Sequence, residues 1–230
     1  QDRADIDRLM IRQVAGASLS ATGTVSGFPD NTAASIDASV VSVDGSEFVS
    51  MLAEKFGAVA GLATLNERIA ATPGLLEDMQ LSIVSATAID GNLRSWSVSG
   101  NAKAASGEAS FSGSANGAVE NPAALSGSWQ ASIKQDEPLN FLTLAGVSLV
   151  PLGAPGPATL EISANGSFTD GLNIDAAYSA DGTSATLAGV IKDERFTGKT
   201  GLISNDLDPY LMATGLAFPG TGFGTPTSFA

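Results

Sequence analysis

The feature that most constrains this chain is a strict alternation of apolar and polar residues, repeated in short segments. Residues 159–204 show it most clearly, because Asp170-Gly171 and Asp181-Gly182 separate segments in which every second residue tends to be apolar. Asp-Gly between alternating segments is a strong signal for a tight β-hairpin. The predicted antiparallel strands, each with one apolar face, cover residues 159–168, 172–179, 184–191 and 196–204.

The same alternation extends through most of the preceding sequence. Residues 17–28 and 33–43 predict a hairpin, and residues 79–134 predict a meander of further strands. Residues 1–14 mix charged and apolar side chains and predict at most an edge strand. The turn-forming pairs of the meander are Gly91-Asn92, Gly100-Asn101, Ser106-Gly107, Asn116-Gly117 and Asn121-Pro122.

A short helical motif follows the strands at three places. Residues 204–215 read S-N-D-L-D-P-Y-L-M-A-T-G, and residues 43–52 and 134–142 are looser copies of that motif. Each copy places acidic residues just before a short amphipathic segment, where they can satisfy the free backbone N–H groups of a helix. The sequence therefore predicts strands interrupted three times by a short helix.

The cap-forming residues of these helices can be named. Asp206 or Asp208 is suited to cap the last helix, whose first turn also tolerates Pro209. Asp44 with Glu47 has the spacing of a capping box at the first helix.

We expect a mainly β fold, in which hairpin repeats form one or two long, curved antiparallel sheets with a few short amphipathic helices. The apolar faces form an open groove or close on each other as a core. The predicted units are a β-rich block over residues 1–148 with helices near 46–71 and 136–145, a proline-rich break at 149–157, a four-strand repeat ending in a short helix at 158–216, and an irregular tail at 217–230.

Composition excludes several classes of protein. The 24 acidic and 11 basic residues give a net charge of −13, without the basic footprint that nucleic acid or an anionic membrane surface requires. Cysteine and histidine are both absent, which removes disulfides, thiolate and imidazole metal sites, and Ser-His-Asp or Cys-His catalysis. No apolar stretch is long enough to span a membrane as a helix, and the sequence around Gln1 does not resemble a signal peptide.

Paired acidic residues are the only candidates for polar chemistry. Two pairs occupy helix-cap positions and the third lies in a predicted turn, so capping and solvation explain them better than calcium binding does. We therefore expect no catalytic residues, no metal and no cofactor, and a protein that is not an enzyme. The pairs are Asp136 with Glu137, Asp193 with Glu194, and Asp206 with Asp208.

Residues 196–215, F-T-G-K-T-G-L-I-S-N-D-L-D-P-Y-L-M-A-T-G, resemble the C-terminal repeats of AsmA-like proteins of Gram-negative bacteria. The resemblance implies a periplasmic segment of an envelope protein that an N-terminal helix, outside this segment, anchors in the inner membrane. It also implies a role in outer-membrane biogenesis, as a bridge along which phospholipids move.

A curved sheet with an apolar concave face could shelter acyl chains. Each CH₂ group removed from water contributes about 0.8 kcal/mol of favourable free energy to binding. The candidate lipid-binding residues are Leu160, Ile162, Leu172, Ile174, Leu187 and Leu202. One alternative is a structural or protein-interaction scaffold of the adhesin or surface-layer type with a closed core. A carbohydrate-binding module fits less well, because Trp96 and Trp129 alternate with polar residues as core positions do.

Overall fold

The chain forms a single antiparallel sheet in which every strand pairs with its neighbours in sequence. The computed structural model describes residues 3–27, 32–56, 62–118, 125–145, 156–167, 169–193, 195–215 and 227–229. Within these ranges twelve strands lie side by side in the order β1 to β12. The sheet is open, with β1 at one edge and β12 at the other, which confirms the predicted mainly β meander.

The strands have the following bounds: β1 Arg3–Val14, β2 Ala17–Ser26, β3 Ala33–Asp44, β4 Glu77–Asp90, β5 Leu93–Ala104, β6 Gly107–Ala118, β7 Ser126–Gln135, β8 Ala158–Ser167, β9 Gly171–Ala180, β10 Thr183–Lys192, β11 Arg195–Ser204 and β12 Thr227–Phe229. The pairing is uninterrupted from β2 to β11, and register shifts occur only between β1 and β2.

Short helices follow β3, β7 and β11, at the three places where the sequence predicts them. Their bounds are α1 Ser46–Lys55, α2 Leu62–Ala70, α3 Leu139–Ala145 and α4 Asp208–Ala213. None of the helices in the described ranges has the length and apolar character needed to cross a membrane.

Two of the predicted turns are wrong. Gly100-Asn101 lies inside β5 and Asn116-Gly117 lies inside β6, and both pairs are hydrogen-bonded into the sheet. Gly100 belongs to a long strand because Phe111 of the neighbouring strand occupies the space that a Cβ atom would need. The predicted turn at Asn121-Pro122 lies outside the described residues.

The sequence leaves open whether the predicted units share one sheet. Because β7 pairs with β8, the strands on both sides of the proline-rich break belong to one sheet. Most of that break, residues 149–155, lies outside the described residues. The tail was expected to be irregular, but Thr227–Phe229 forms β12 because it continues the backbone hydrogen bonding of β11.

The three strand-to-helix junctions share one structure. A buried polar residue lies at the end of the strand, or two residues before it in β3; an acceptor carboxylate follows two residues later, and the helix begins two residues after that. The carboxylate accepts a hydrogen bond from the first helical N–H in all three copies. The donor and acceptor residues are Ser46 and Asp44 at 2.9 Å, Leu139 and Glu137 at 3.3 Å, and Asp208 and Asp206 at 2.9 Å. The buried residues are Ser42, Gln135 and Ser204.

This geometry replaces the predicted capping box at α1. Asp44 lies one residue before the N-cap position, which Gly45 occupies, and no side chain makes a cap hydrogen bond there. The backbone N–H of Ser46, together with its hydroxyl, lowers the pKa of Asp44 below its ordinary value. Asp206 accepts its bond in the same way, from the residue that begins α4.

The compact core lies at one end of the strands, under α1. Phe48 of α1 is buried against Ala17, Val40 and Met79 of the sheet, and Leu52 packs beside them. The amphipathic face of this helix therefore covers the sheet near the strand ends that precede the helices.

Aromatic rings lie flat on glycines of the neighbouring strand farther along the same face. A Cβ atom on Gly113 would be placed against the ring of Trp129, and one on Gly100 would meet the ring of Phe111. Glycine at these positions lets a large ring cover the backbone without projecting from the sheet.

This contact predicts that Gly113→Ala destabilises the protein. We expect a loss of about 1–3 kcal/mol in the free energy of unfolding, because the Trp129 ring must move. Urea denaturation measures the loss, with Ser112→Ala on the opposite face as the control, which should change it by less than about 0.5 kcal/mol. In a Trp129→Leu background the Gly113→Ala substitution should lose most of its effect, and equal losses with and without the tryptophan would contradict the contact.

Candidate functional site

The register gathers the apolar positions of ten strands on one side of the sheet, which we call the apolar face. Residues directly opposite each other in neighbouring strands share a face, so they form rows that run across the sheet. The row nearest the helices comprises Leu19, Val40, Leu81, Ala102, Ala109, Ile133, Leu160, Tyr178, Ala185 and Leu202. The second row comprises Ala21, Ala38, Ile83, Gly100, Phe111, Ala131, Ile162, Ala176, Leu187 and Thr200.

Two further rows lie beyond these, farther from the helices. The third row comprises Gly23, Ile36, Ser85, Val98, Gly113, Trp129, Ala164, Ile174, Gly189 and Gly198. The fourth row comprises Val25, Ala34, Thr87, Trp96, Ala115, Gly127, Gly166, Leu172, Ile191 and Phe196.

No position in these four rows is charged. The strand residues Asp37, Glu161, Asp175 and Lys199 all lie on the opposite side of the sheet. Most large side chains of the second and third rows are only partly buried, in contrast to the core under α1. The apolar face is therefore a continuous, uncharged and partly exposed surface.

All six candidate lipid-binding residues lie on this face. Leu160 and Leu202 belong to the first row, Ile162 and Leu187 to the second, Ile174 to the third and Leu172 to the fourth. Five are partly exposed, while Leu172 is buried at 9% exposure.

None of the candidate lipid-binding residues lies in β2 to β7, although those strands continue the same face. The period-two pattern in those strands was the available signal, but only the register shows that their apolar side chains share a face with those of β8 to β11. The largest of these side chains are Trp96, Phe111 and Trp129.

Two tryptophans lie together on the apolar face. The Trp96 and Trp129 ring centroids are 5.0 Å apart, although their strands are separated by β6. Small residues of β6, Gly113 and Ala115, lie between them and let the rings approach each other. Both indoles therefore report on what contacts this face.

Helices α3 and α4 meet the first row at Tyr178. The ring of Phe141 contacts the Tyr178 ring edge-on at 5.6 Å, and the Tyr178 and Tyr210 hydroxyls are 3.0 Å apart. Burial, followed by the hydrogen bond to Tyr210, raises the pKa of Tyr178 well above its ordinary value. The helices thus attach to the apolar face at the end that already carries the α1 core.

The opposite side, which we call the hydroxyl face, carries mainly serine, threonine and amide side chains. A concavity of about 770 Å³ is lined by alternate residues of β5 to β10 that belong to this face, such as Asn101, Ser110, Gln130 and Thr186. A second, of about 510 Å³, includes Ser132 and Lys134. We expected the concave side to be apolar, but these two concavities open on the hydroxyl face.

Among the described residues, no three Asp, Glu, His or Cys side chains are grouped closely enough to hold a metal ion. No family model, curated protein or solved structure significantly matches this chain. The chemistry of the apolar face and of the hydroxyl face is therefore the structural guide to its function.

The half-buried Tyr178 hydroxyl predicts a loss of stability at high pH. Above the unfolded-state pKa of about 10, the unfolded chain loses the Tyr178 proton while the folded chain keeps it, so stability falls as the pH rises. Urea denaturation between about pH 9 and pH 11 should show a smaller fall in Tyr178→Phe than in the unsubstituted protein. Tyr210→Phe should retain most of the fall, because burial is the main cause. Identical slopes for Tyr178→Phe and the unsubstituted protein would contradict this.

Proposed function

We propose that this chain is a non-enzymatic segment of an AsmA-like envelope protein and that its apolar face carries the acyl chains of phospholipids. The observation that supports this most is the uninterrupted, uncharged surface that runs across ten strands. An acyl chain lying on this surface loses contact with water and meets no unpaired charge.

The dimensions of the face suit a lipid path. With strands about 4.8 Å apart, the nine steps from β2 to β11 span about 43 Å. One leaflet of a bilayer core is about 15 Å thick, so the face is longer than one acyl chain. The rows offer similar small and aliphatic side chains along their length, which favours movement of a lipid over tight binding at one point.

The surface is open on one side, which limits its affinity for lipid. Full burial is worth about 0.8 kcal/mol for each CH₂, and a chain that contacts only one surface gains a fraction of that value. Weak, distributed contact agrees with transfer of a lipid along the sheet. In this proposal the head group stays in solvent, and the parent protein works in the periplasm, anchored in the inner membrane by a part of the chain outside this segment.

A second candidate function is a structural scaffold in which another protein surface covers the apolar face. The observation that favours it is the α1 core, where Phe48 and Met51 already close one end of the same face. A scaffold of this kind would be folded and free of lipid.

Bound lipid should depend on the apolar face and not on the hydroxyl face. Ile162→Asp and Ile174→Asp place a carboxylate on the apolar face, whereas Ser163→Asp places one on the same strand as Ile162 but on the other face. We expect both isoleucine variants to retain at least about tenfold less phospholipid, because an unpaired charge beside an acyl chain costs more than about 1.4 kcal/mol.

Native mass spectrometry after incubation with phospholipid, followed by organic extraction, measures this difference. Circular dichroism must show that all three variants retain the sheet. Equal lipid in the Ser163→Asp and Ile162→Asp proteins would contradict the proposal. A folded, unsubstituted protein that takes up no lipid would favour the scaffold.

A further inference from the structure

The two edges of the sheet are built differently. The pairing of β1 with β2 shifts between Ile6 and Leu9 and again between Ile11 and Val14. Gln13 also has a positive φ of 60°. Bulges and charged residues of this kind protect natural edge strands from pairing with other chains.

Strand β11, near the other edge, has no bulge. It pairs with β10 without a register shift from Arg195 to Ser204. On the side of β11 that faces away from β10, β12 pairs only with Leu202–Ser204. No described residue pairs with residues 195–201 on that side. We call the outer side of residues 195–201 the β11 edge. A regular strand in this position presents unpaired backbone N–H and C=O groups.

The existing pairing indicates how a further strand would add. Thr227–Phe229 runs antiparallel to β11, as all other neighbouring strands of the sheet do. A strand that continues the line of β12 would pair antiparallel with residues 195–201 of β11. The β11 edge is therefore continuous with a strand interface that the fold already uses.

The side chains of the β11 edge indicate which sequence fits. Arg195 and Lys199 are exposed on the hydroxyl face, and neither forms an ion pair within the described part of the chain. Lys192, directly opposite Arg195 in β10, adds a third cation. Residues 192–199 carry three cations and two acidic residues, Asp193 and Glu194, so this edge has a net charge of +1 in a chain with a net charge of −13. Acidic residues in an added strand would complement it.

The other face of the same edge is apolar. Phe196 is 43% exposed, and its ring leans over Gly198 and Gly189. An added strand would place every second side chain on this face, beside the Phe196 ring and the glycine surface. Apolar residues fit these positions, in alternation with the acidic residues that face Arg195 and Lys199.

We propose that the β11 edge is a strand-addition site for an extended polypeptide segment of alternating acidic and apolar residues, which docks antiparallel to β11. Backbone hydrogen bonds supply the general affinity, and the cations of the hydroxyl face select the acidic strand. This site meets the apolar face at Phe196 and Gly198, whereas the backbone pairing lies on the strand edge and the selecting cations lie on the hydroxyl face.

A fluorescent peptide of alternating glutamate and valine tests the proposal by fluorescence anisotropy. The double variant Arg195→Glu/Lys199→Glu should bind it about tenfold more weakly or worse, because attraction becomes repulsion at two cross-strand pairs. Lys103→Glu is the matched control, since Lys103 is an exposed cation of the hydroxyl face within the sheet. A lysine-valine peptide should show the reverse preference and favour the double variant.

Hydrogen exchange locates the bound peptide. Protection should increase at backbone amides of residues 195–201 and stay unchanged in β1. No detectable peptide binding, equal weakening by Lys103→Glu, or protection confined to β1 would overturn the proposal. Dimerisation through this edge, seen by sedimentation and abolished by a substitution in residues 195–201, would also overturn it, because the edge would then bind a second copy of the chain and not an acidic segment.

Discussion

The register of the antiparallel pairing is the constraint on which the rest of this structure depends. Side chains alternate between the faces of a strand, so a slip by one residue would move every apolar side chain of that strand to the other side. From β2 to β11 no slip occurs, and each apolar position of the four rows therefore meets an uncharged residue in the next strand. Two chemically distinct faces result, one uncharged and one rich in hydroxyl groups.

The repeated strand-to-helix junction keeps most of the apolar face open. Ser42, Gln135 and Ser204 are buried at equivalent strand ends, and each is followed by a carboxylate that receives the first helical N–H. The helices therefore begin at one end of the sheet, where Phe48 and Tyr178 provide packing surfaces. Among the described residues, the third and fourth rows receive no comparable cover, and these rows carry both tryptophans.

Local sequence patterns predicted most strands and all the helices, because alternation and acidic helix starts are properties of neighbouring residues. The failures have a different origin. Gly100 and Gly113 allow rings from adjacent strands to lie flat, and this role depends on a register that no local pattern reveals. The side on which the sheet is concave likewise follows from its twist and from packing across many strands. All six candidate binding residues fall on one face because apolar side chains are two residues apart within their strands. Their counterparts in β2 to β7 can be assigned to the same face only when the register between strands is known.

The most direct test of lipid contact with the apolar face uses Trp96 and Trp129, the only two tryptophans of the chain. Phospholipids brominated on the acyl chain quench indole fluorescence on contact, whereas the same lipids without bromine do not. If acyl chains lie on the apolar face, brominated lipid should quench both tryptophans while the circular dichroism of the sheet stays unchanged. Unquenched fluorescence in a sample that demonstrably holds bound lipid would contradict the account, because the lipid would then lie away from this face.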